Sequence, residues 1–290
     1  MRNFKELADD YRASLEYKGL RYETQRQYDY HMDIVSEHFG RTRLSSIAPL
    51  AAKKAYDKWC DRGVSFGNHI LSMANIVFNH GVRMEHVPAN PFEKVRRRTT
   101  KARRVVWTPD EVQKFLECAY SDFDTRNIGL IAQMAYEWCQ RLGDMRVLTW
   151  SSIHFDKQTV HIEQSKRRAE VFLPISDELM DMLREQKDDF GFQDYVAPRP
   201  YAIGGVYRPY TMYKLPHHAR AIMNKAGLDH ALQLRDLRRT GTTEMVDAGV
   251  GIGQIMSVTG HVNPQSVKPY MKHTYDSANY ALTMRKNRGK

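Results

Sequence analysis

The sequence predicts a mostly α-helical protein with one small antiparallel β-sheet, built as a helical domain followed by an α+β domain. Three observations predict it. Apolar residues recur at helical spacing over most of the 290-residue chain. A period-2 alternation is confined to residues 153–173, and a short, densely basic run separates the two regions.

Residues 1–95 read as helices. Thr24-x-x-Gln27 has the form of a capping box, and Tyr28, Met32, Ile34, Val35 and Phe39 supply an apolar face that Gly40 terminates. Periodic segments near 48–61 and 66–82 follow, until the two prolines of VPANPFEKV end the pattern. A small helical bundle is expected here.

Residues 96–104 read RRRTTKARR. The net charge is +10, and six of the excess cations, Arg96, Arg97, Arg98, Lys101, Arg103 and Arg104, lie in these nine residues with no acid among them. A run this dense repels itself unless a polyanion neutralises it, so a nucleic-acid backbone is the natural partner of what is otherwise a linker.

The second domain is expected over 105–290. Thr108-Pro109-Asp110-Glu111 supplies an N-cap, a proline at the first helical position and a glutamate at the third. A helix near 126–140 precedes three short strands marked by Ile153 and Phe155, Val160 and Ile162, and Val171 and Leu173, with the charged turn SKRRAE between the last two. Ser176 then caps a return to helix, with segments near 177–188, 211–226, 236–248 and 251–259.

Several classes are disfavoured. No apolar run approaches the ~18 residues of a membrane span, and the charged, amphipathic start does not resemble a signal peptide. Cys60, Cys118 and Cys139 are odd in number and far apart, which fits reduced thiols in a cytoplasmic protein. His217 and His218 are adjacent with nothing nearby to complete a zinc set, so no metal or cofactor is expected.

Four stretches place cations or a proton-transfer group at an element boundary. In CQRLGDMRVLTW, Arg141 is expected to end a helix; in QSKRRAEVFLPI, Lys166 stands at a hairpin tip. In LRDLRRTGTTEMV, Arg235 and Arg238 are three apart and are expected to share a helix face. In GHVNPQSVKPYMKH, His261 precedes Tyr270 by nine residues. Each alone has an ordinary explanation in helix dipoles, solvated turns or packing.

Together, in this order and spacing, they resemble the tyrosine recombinase, or phage integrase, family. Arg141-Leu-Gly-Asp144 leading to Leu148 and Trp150 resembles the family's first box, and Lys166 with Pro174 resembles its hairpin lysine. Arg235-x-x-Arg238-Arg239-Thr240 resembles the second box, and Thr259-Gly260-His261 with Tyr270 the third. The resemblance implies an α+β catalytic domain behind a helical core-binding domain. The implied activity is site-specific recombination or integration of DNA through a 3′-phosphotyrosine intermediate, without metal or ATP.

The resemblance also assigns roles. Arg141 and Arg238 would hold the non-bridging phosphate oxygens where negative charge develops, with His261 donating a further hydrogen bond. Tyr270 would attack and Lys166 would protonate the leaving 5′ oxygen, while Asp144 would orient an arginine or nearby backbone. The implied partners are double-stranded DNA with paired sites and three further copies of the chain, a homotetramer on DNA formed from monomers, with an accessory DNA-bending protein as an option. The implied setting is the bacterial cytoplasm, with the gene on a phage or mobile element. Many members carry an arm-binding domain ahead of the core-binding domain, and this chain begins at the latter. A topoisomerase of the same chemistry and a DNA-binding regulator without catalysis are the competing readings.

Two positions depart from the pattern. Arg235 stands where the family usually has histidine, and an arginine cannot act as base for Tyr270. Pro269 restricts Tyr270 to the start of a helix, with Tyr275 as the alternative nucleophile. An Arg235→His variant is therefore expected to accumulate covalent DNA adduct faster than the wild type in single-turnover assays; equal rates would remove a base at this position from the mechanism.

Overall fold

A computed structural model describes residues 3–166, 168–271 and 275–287. The chain divides into two compact units, Met1–Arg103 and Arg104–Lys290, each with its own hydrophobic core.

The first unit holds helices α1 (Phe4–Ala13), α2 (Leu15–Lys18), α3 (Tyr22–Phe39), α4 (Pro49–Cys60) and α5 (Val64–Arg83). α5 is its spine: Ile70, Leu71, Met73, Ala74, Val77 and Phe78 are buried, and α1, α3 and α4 all pack on it. The apolar content of α5 is thus spent on the core of this unit. α1, the amphipathic start of the chain, is capped by Asn3 and tied to α5 by His80, whose Nε2 lies 2.8 Å from Asp10. His80 and His86 hold the Asp10 carboxyl below its ordinary range.

The expected cap at Thr24 is not formed. α3 begins at Tyr22 because the Gln25 amide reaches back to the carbonyls of Tyr17 (3.1 Å) and Leu20 (3.2 Å), which closes the preceding turn earlier. The basic run also behaves differently from a free linker at its start. The Arg98 backbone N–H donates to the Tyr56 hydroxyl (2.6 Å) and its guanidinium pairs with Asp57 (2.9 Å), while Arg97 donates to Ser72 (2.7 Å). Arg98 is therefore opposed by an acid distant in sequence. Arg96, Arg97, Arg98, Lys101 and Arg104 are exposed, and Arg103 is half-buried.

The second unit starts on Trp107, which is buried, donates its backbone N–H to Thr240 (3.0 Å) and points its indole N–H at the Gln233 carbonyl (3.3 Å). The helices are α6 (Pro109–Tyr120), α7 (Phe123–Glu137), α8 (Leu142–Met145), α9 (Asp177–Phe190), α10 (Lys214–Lys225), α11 (Leu237–Asp247), α12 (Ile252–Thr259) and α13 (Tyr275–Asn287). β1 (Ile153–His154), β2 (Thr159–Glu163) and β3 (Glu170–Pro174) form one antiparallel sheet in sequential order, with Val160 opposite Leu173 and Ile162 opposite Val171. Those four face the core, as the alternation predicts. α7 and α11 cross closely at Gly241, where an added Cβ would meet the Tyr136 carbonyl at 2.6 Å.

Thr108 forms the predicted capping box with Glu111 at the start of α6. Thr108→Ala is expected to cost about 1 kcal/mol, read as a lower denaturation midpoint of the second unit with an unchanged slope.

Candidate active site

The first box does not end a helix. α7 stops at Glu137, and Cys139 takes a positive φ of 50°, which turns the chain so that Arg141 becomes the N-cap residue of α8 in extended conformation. Between them Gln140 is fully buried, and its amide nitrogen donates to the carbonyls of Trp138 and Val258, both at 2.7 Å. Asp144 is buried too. One carboxylate oxygen accepts the Ser165 backbone N–H (3.1 Å), and the other lies 3.9 Å from an Arg141 nitrogen. Asp144 is thereby bonded to the base of the hairpin while facing Arg141 from a longer distance.

That hairpin extends the inward alternation Val160, Ile162 by one more position, to Gln164, which is fully buried. Gln164 Oε1 accepts from Arg141 Nη1 at 2.7 Å, while its Nε2 donates to Gln140 Oε1 (2.6 Å) and to the Thr259 carbonyl (2.8 Å). Lys166 follows in the turn, exposed and without a hydrogen bond or ion pair among the described residues. Its neighbour Arg167 lies outside the described residues.

The two arginines of the second box do not share a face. Arg235 sits in the 3₁₀ turn Leu234–Asp236 and is exposed, at the rim of a groove of about 530 Å³ that also includes Leu142, Met212, His217 and Arg220. Arg238 lies in the first turn of α11 and is only 9% exposed. The change of helix type between them rotates one outward and the other inward. Arg238 Nη2 donates to the Thr259 carbonyl at 2.9 Å, whereas Nη1 is buried without a hydrogen-bond partner among the described residues. Burial, and then the nearby charge of Arg141, depress the Arg238 pKa to about 10, against the opposing effects of Tyr270, Cys139 and Asp144. The group remains cationic at neutral pH.

The third box closes the site. α12 ends at Thr259, Gly260 adopts the left-handed conformation (φ 67°), and His261 turns back toward Arg238. The guanidinium can only donate, so His261 Nε2, 3.1 Å from Arg238 Nη2, is the acceptor. Nδ1 then carries the proton and donates to the Thr259 hydroxyl (2.8 Å), which passes its own to the Ile255 carbonyl (2.7 Å). In this arrangement His261 is not yet the donor that the sequence reading assigned. Tyr270 does not start a helix, as the proline had suggested, but ends the 3₁₀ turn Lys268–Tyr270, in which Pro269 is the second residue; it is half-buried, its ring centroid 6.1 Å from that of His261 and 4.8 Å from the Arg239 guanidinium carbon. Lys272 and His273, beyond it, lie outside the described residues.

The fold thus gathers Arg141, Asp144, Arg238, His261 and Tyr270 around one locus, while Lys166 and Arg235 lie on neighbouring turns without a bond to it. A cleft of about 760 Å³ formed by segment 192–211 includes none of them. Sequence reasoning missed Gln140, Gln164 and the cation over Tyr270. The available signal was the glutamine at an inward strand position.

Residues 106–277 match the Phage integrase family. The chain belongs to that family. It is 23% identical over 201 residues to a tyrosine recombinase of Pseudothermotoga lettingae, a match covering 66% of this chain and 64% of that protein. This integrase-family chain also shares its fold with a lambda integrase dimer bound to a COC′ core site, with a TM-score of 0.78, 18% identity and coverage of 93% of this chain and 77% of that one. A structure of the Tn1549 transposon integrase in complex with circular intermediate DNA gives a TM-score of 0.78 at 15% identity, covering 98% of this chain and all of the other (100%). Among the described residues no helix is long and apolar enough to cross a membrane.

Gly260 is required twice over. Its φ is one that L residues avoid, and an added Cβ would sit 2.5 Å from Gln164 Nε2. Gly260→Ala is expected to cost more than the ~1–2 kcal/mol of a left-handed alanine, measured by chemical denaturation; a smaller loss would mean that the Gln164 contact is slack.

Proposed function

We propose that this protein breaks and rejoins DNA as a site-specific recombinase, acting through a 3′-phosphotyrosine on Tyr270. The observation that carries the reading is the convergence of Arg141, Arg238 and His261 beside a half-buried phenol, with Arg238 Nη1 buried and unpartnered. Keeping a buried donor unpaired costs about 1–3 kcal/mol, and beside Arg141 and His261 a bound anion would recover that cost. A phosphodiester supplies one.

In the reaction, the Tyr270 oxygen attacks phosphorus, a phosphorus–tyrosyl oxygen bond forms, and the bond to the 5′ oxygen breaks. The two guanidiniums hold the non-bridging oxygens as charge builds on them. Arg235 cannot take the phenolic proton. When phosphate draws Arg238 onto its oxygens, His261 Nε2 loses its donor and becomes the acceptor for that proton; the resulting imidazolium then donates to a phosphate oxygen, the role expected of it. Arg239 over the Tyr270 ring favours the developing phenolate. Lys166, carried on the hairpin that Asp144 and Gln164 anchor, delivers a proton to the leaving oxygen. Attack by a 5′ hydroxyl from another duplex reverses these steps and exchanges strands without ATP.

The first unit would act as the core-binding domain, and Arg96, Arg97, Lys101, Arg103 and Arg104 would contact the phosphate backbone, with Arg98 divided between DNA and Asp57. Strand exchange requires two duplexes and four active sites, so the working form would be a homotetramer on paired sites. The setting is the bacterial cytoplasm.

The test is covalent trapping. Nicked duplexes spanning the junctions of the DNA element that encodes the protein, incubated without metal or ATP and denatured in detergent, are expected to yield an adduct on Tyr270 that Tyr270→Phe abolishes. Tight binding of those duplexes without adduct would instead identify a DNA-binding regulator.

A further inference from the structure

We infer that Gln164 is a positioning residue for Arg141, the last link of a polarised chain of two buried amides. The inference rests on the recombinase reading for what Arg141 does, and on geometry alone for how Arg141 is held. Gln140 spends both amide protons on the carbonyls of Trp138 and Val258, so its oxygen must face Gln164. Gln164 spends both of its own on Gln140 Oε1 and the Thr259 carbonyl, so its oxygen must face Arg141. Neither amide can flip without setting donor against donor. Because both side chains are fully buried, water cannot make good the loss.

The chemical point is that this partner is neutral. A carboxylate at this position would hold Arg141 more strongly and cancel the charge that phosphate is to feel. Asp144, the acid near Arg141, stands back at 3.9 Å and is engaged by the hairpin backbone. An amide oxygen fixes the guanidinium and leaves its charge available. The same amide holds the Thr259 carbonyl to which Arg238 also donates, so Gln164 couples the two arginines and the turn before Lys166 into one unit.

The experiment measures adduct formation on the trapped nicked duplex, duplex affinity, and affinity for inorganic phosphate by ³¹P line broadening. Gln164→Leu is expected to slow adduct formation about 10- to 100-fold with duplex affinity unchanged, and to weaken phosphate binding. Gln164→Glu keeps the shape and an acceptor for Arg141 but lacks both donors and adds a charge. It is expected to be at least as slow, whereas a purely space-filling role predicts rescue. Gln140→Leu is expected to shift the same quantities in the same direction by a smaller factor. Wild-type rate and phosphate affinity in a folded Gln164→Leu, or in Gln164→Glu should the leucine variant not fold, would overturn the inference. If the wild-type protein traps no duplex, the recombinase reading fails by itself. Phosphate affinity then decides the role of Gln164: weaker binding in the variants upholds it, and equal binding overturns it.

Discussion

The backbone carbonyl of Thr259 is the point on which the site depends. It accepts from Gln164 on the hairpin and from Arg238 on α11, while Gly260 immediately beyond it turns His261 inward. Three segments far apart in sequence are thereby fixed relative to one atom, and Gln140 brings in the fourth through the adjacent Val258 carbonyl. Such a carbonyl, near the end of a helix, has no intrahelical partner and is open to side chains. The helix end thus serves as a hub because α-helix geometry leaves it unsatisfied.

Around this hub the electrostatics are deliberately unbalanced. Burial lowers the Arg238 pKa, and Arg141 is close enough to lower it further. Asp144 offsets only part of this, since one of its oxygens is taken by Ser165. A site with excess positive potential in a partly dehydrated setting favours a phosphate diester over a neutral ligand, and favours the more highly charged transition state more strongly still.

Much of the architecture was legible in the sequence because it is written locally. The Thr108 capping box, the alternation of Val160, Ile162, Val171 and Leu173, and the Ser176 cap all depend on neighbours within a few residues. The departures arise where distant groups intervene. Gln25 displaced the start of α3, and Asp57 reached across to Arg98. The positive φ of Cys139 moved Arg141 from a helix end to a helix start. The clustering of Arg141, Arg238, His261 and Tyr270 could be anticipated from family spacing, but the amide chain behind them could not. Glutamine has no charge and little periodic signature, and which atom of Gln164 faces Arg141 is decided by the side chain of Gln140 and by the Thr259 carbonyl, 95 residues away in sequence.

The end of α12 has one more consequence. A helix presents a partial negative charge of about half an electron at its C-terminus, and here that end abuts Arg238. It acts as a weak counter-charge built from backbone alone: at about half a unit it favours a cation at this position, yet neutralises less of the guanidinium than a carboxylate would. Most of the positive potential of Arg238 is therefore left to attract an anion.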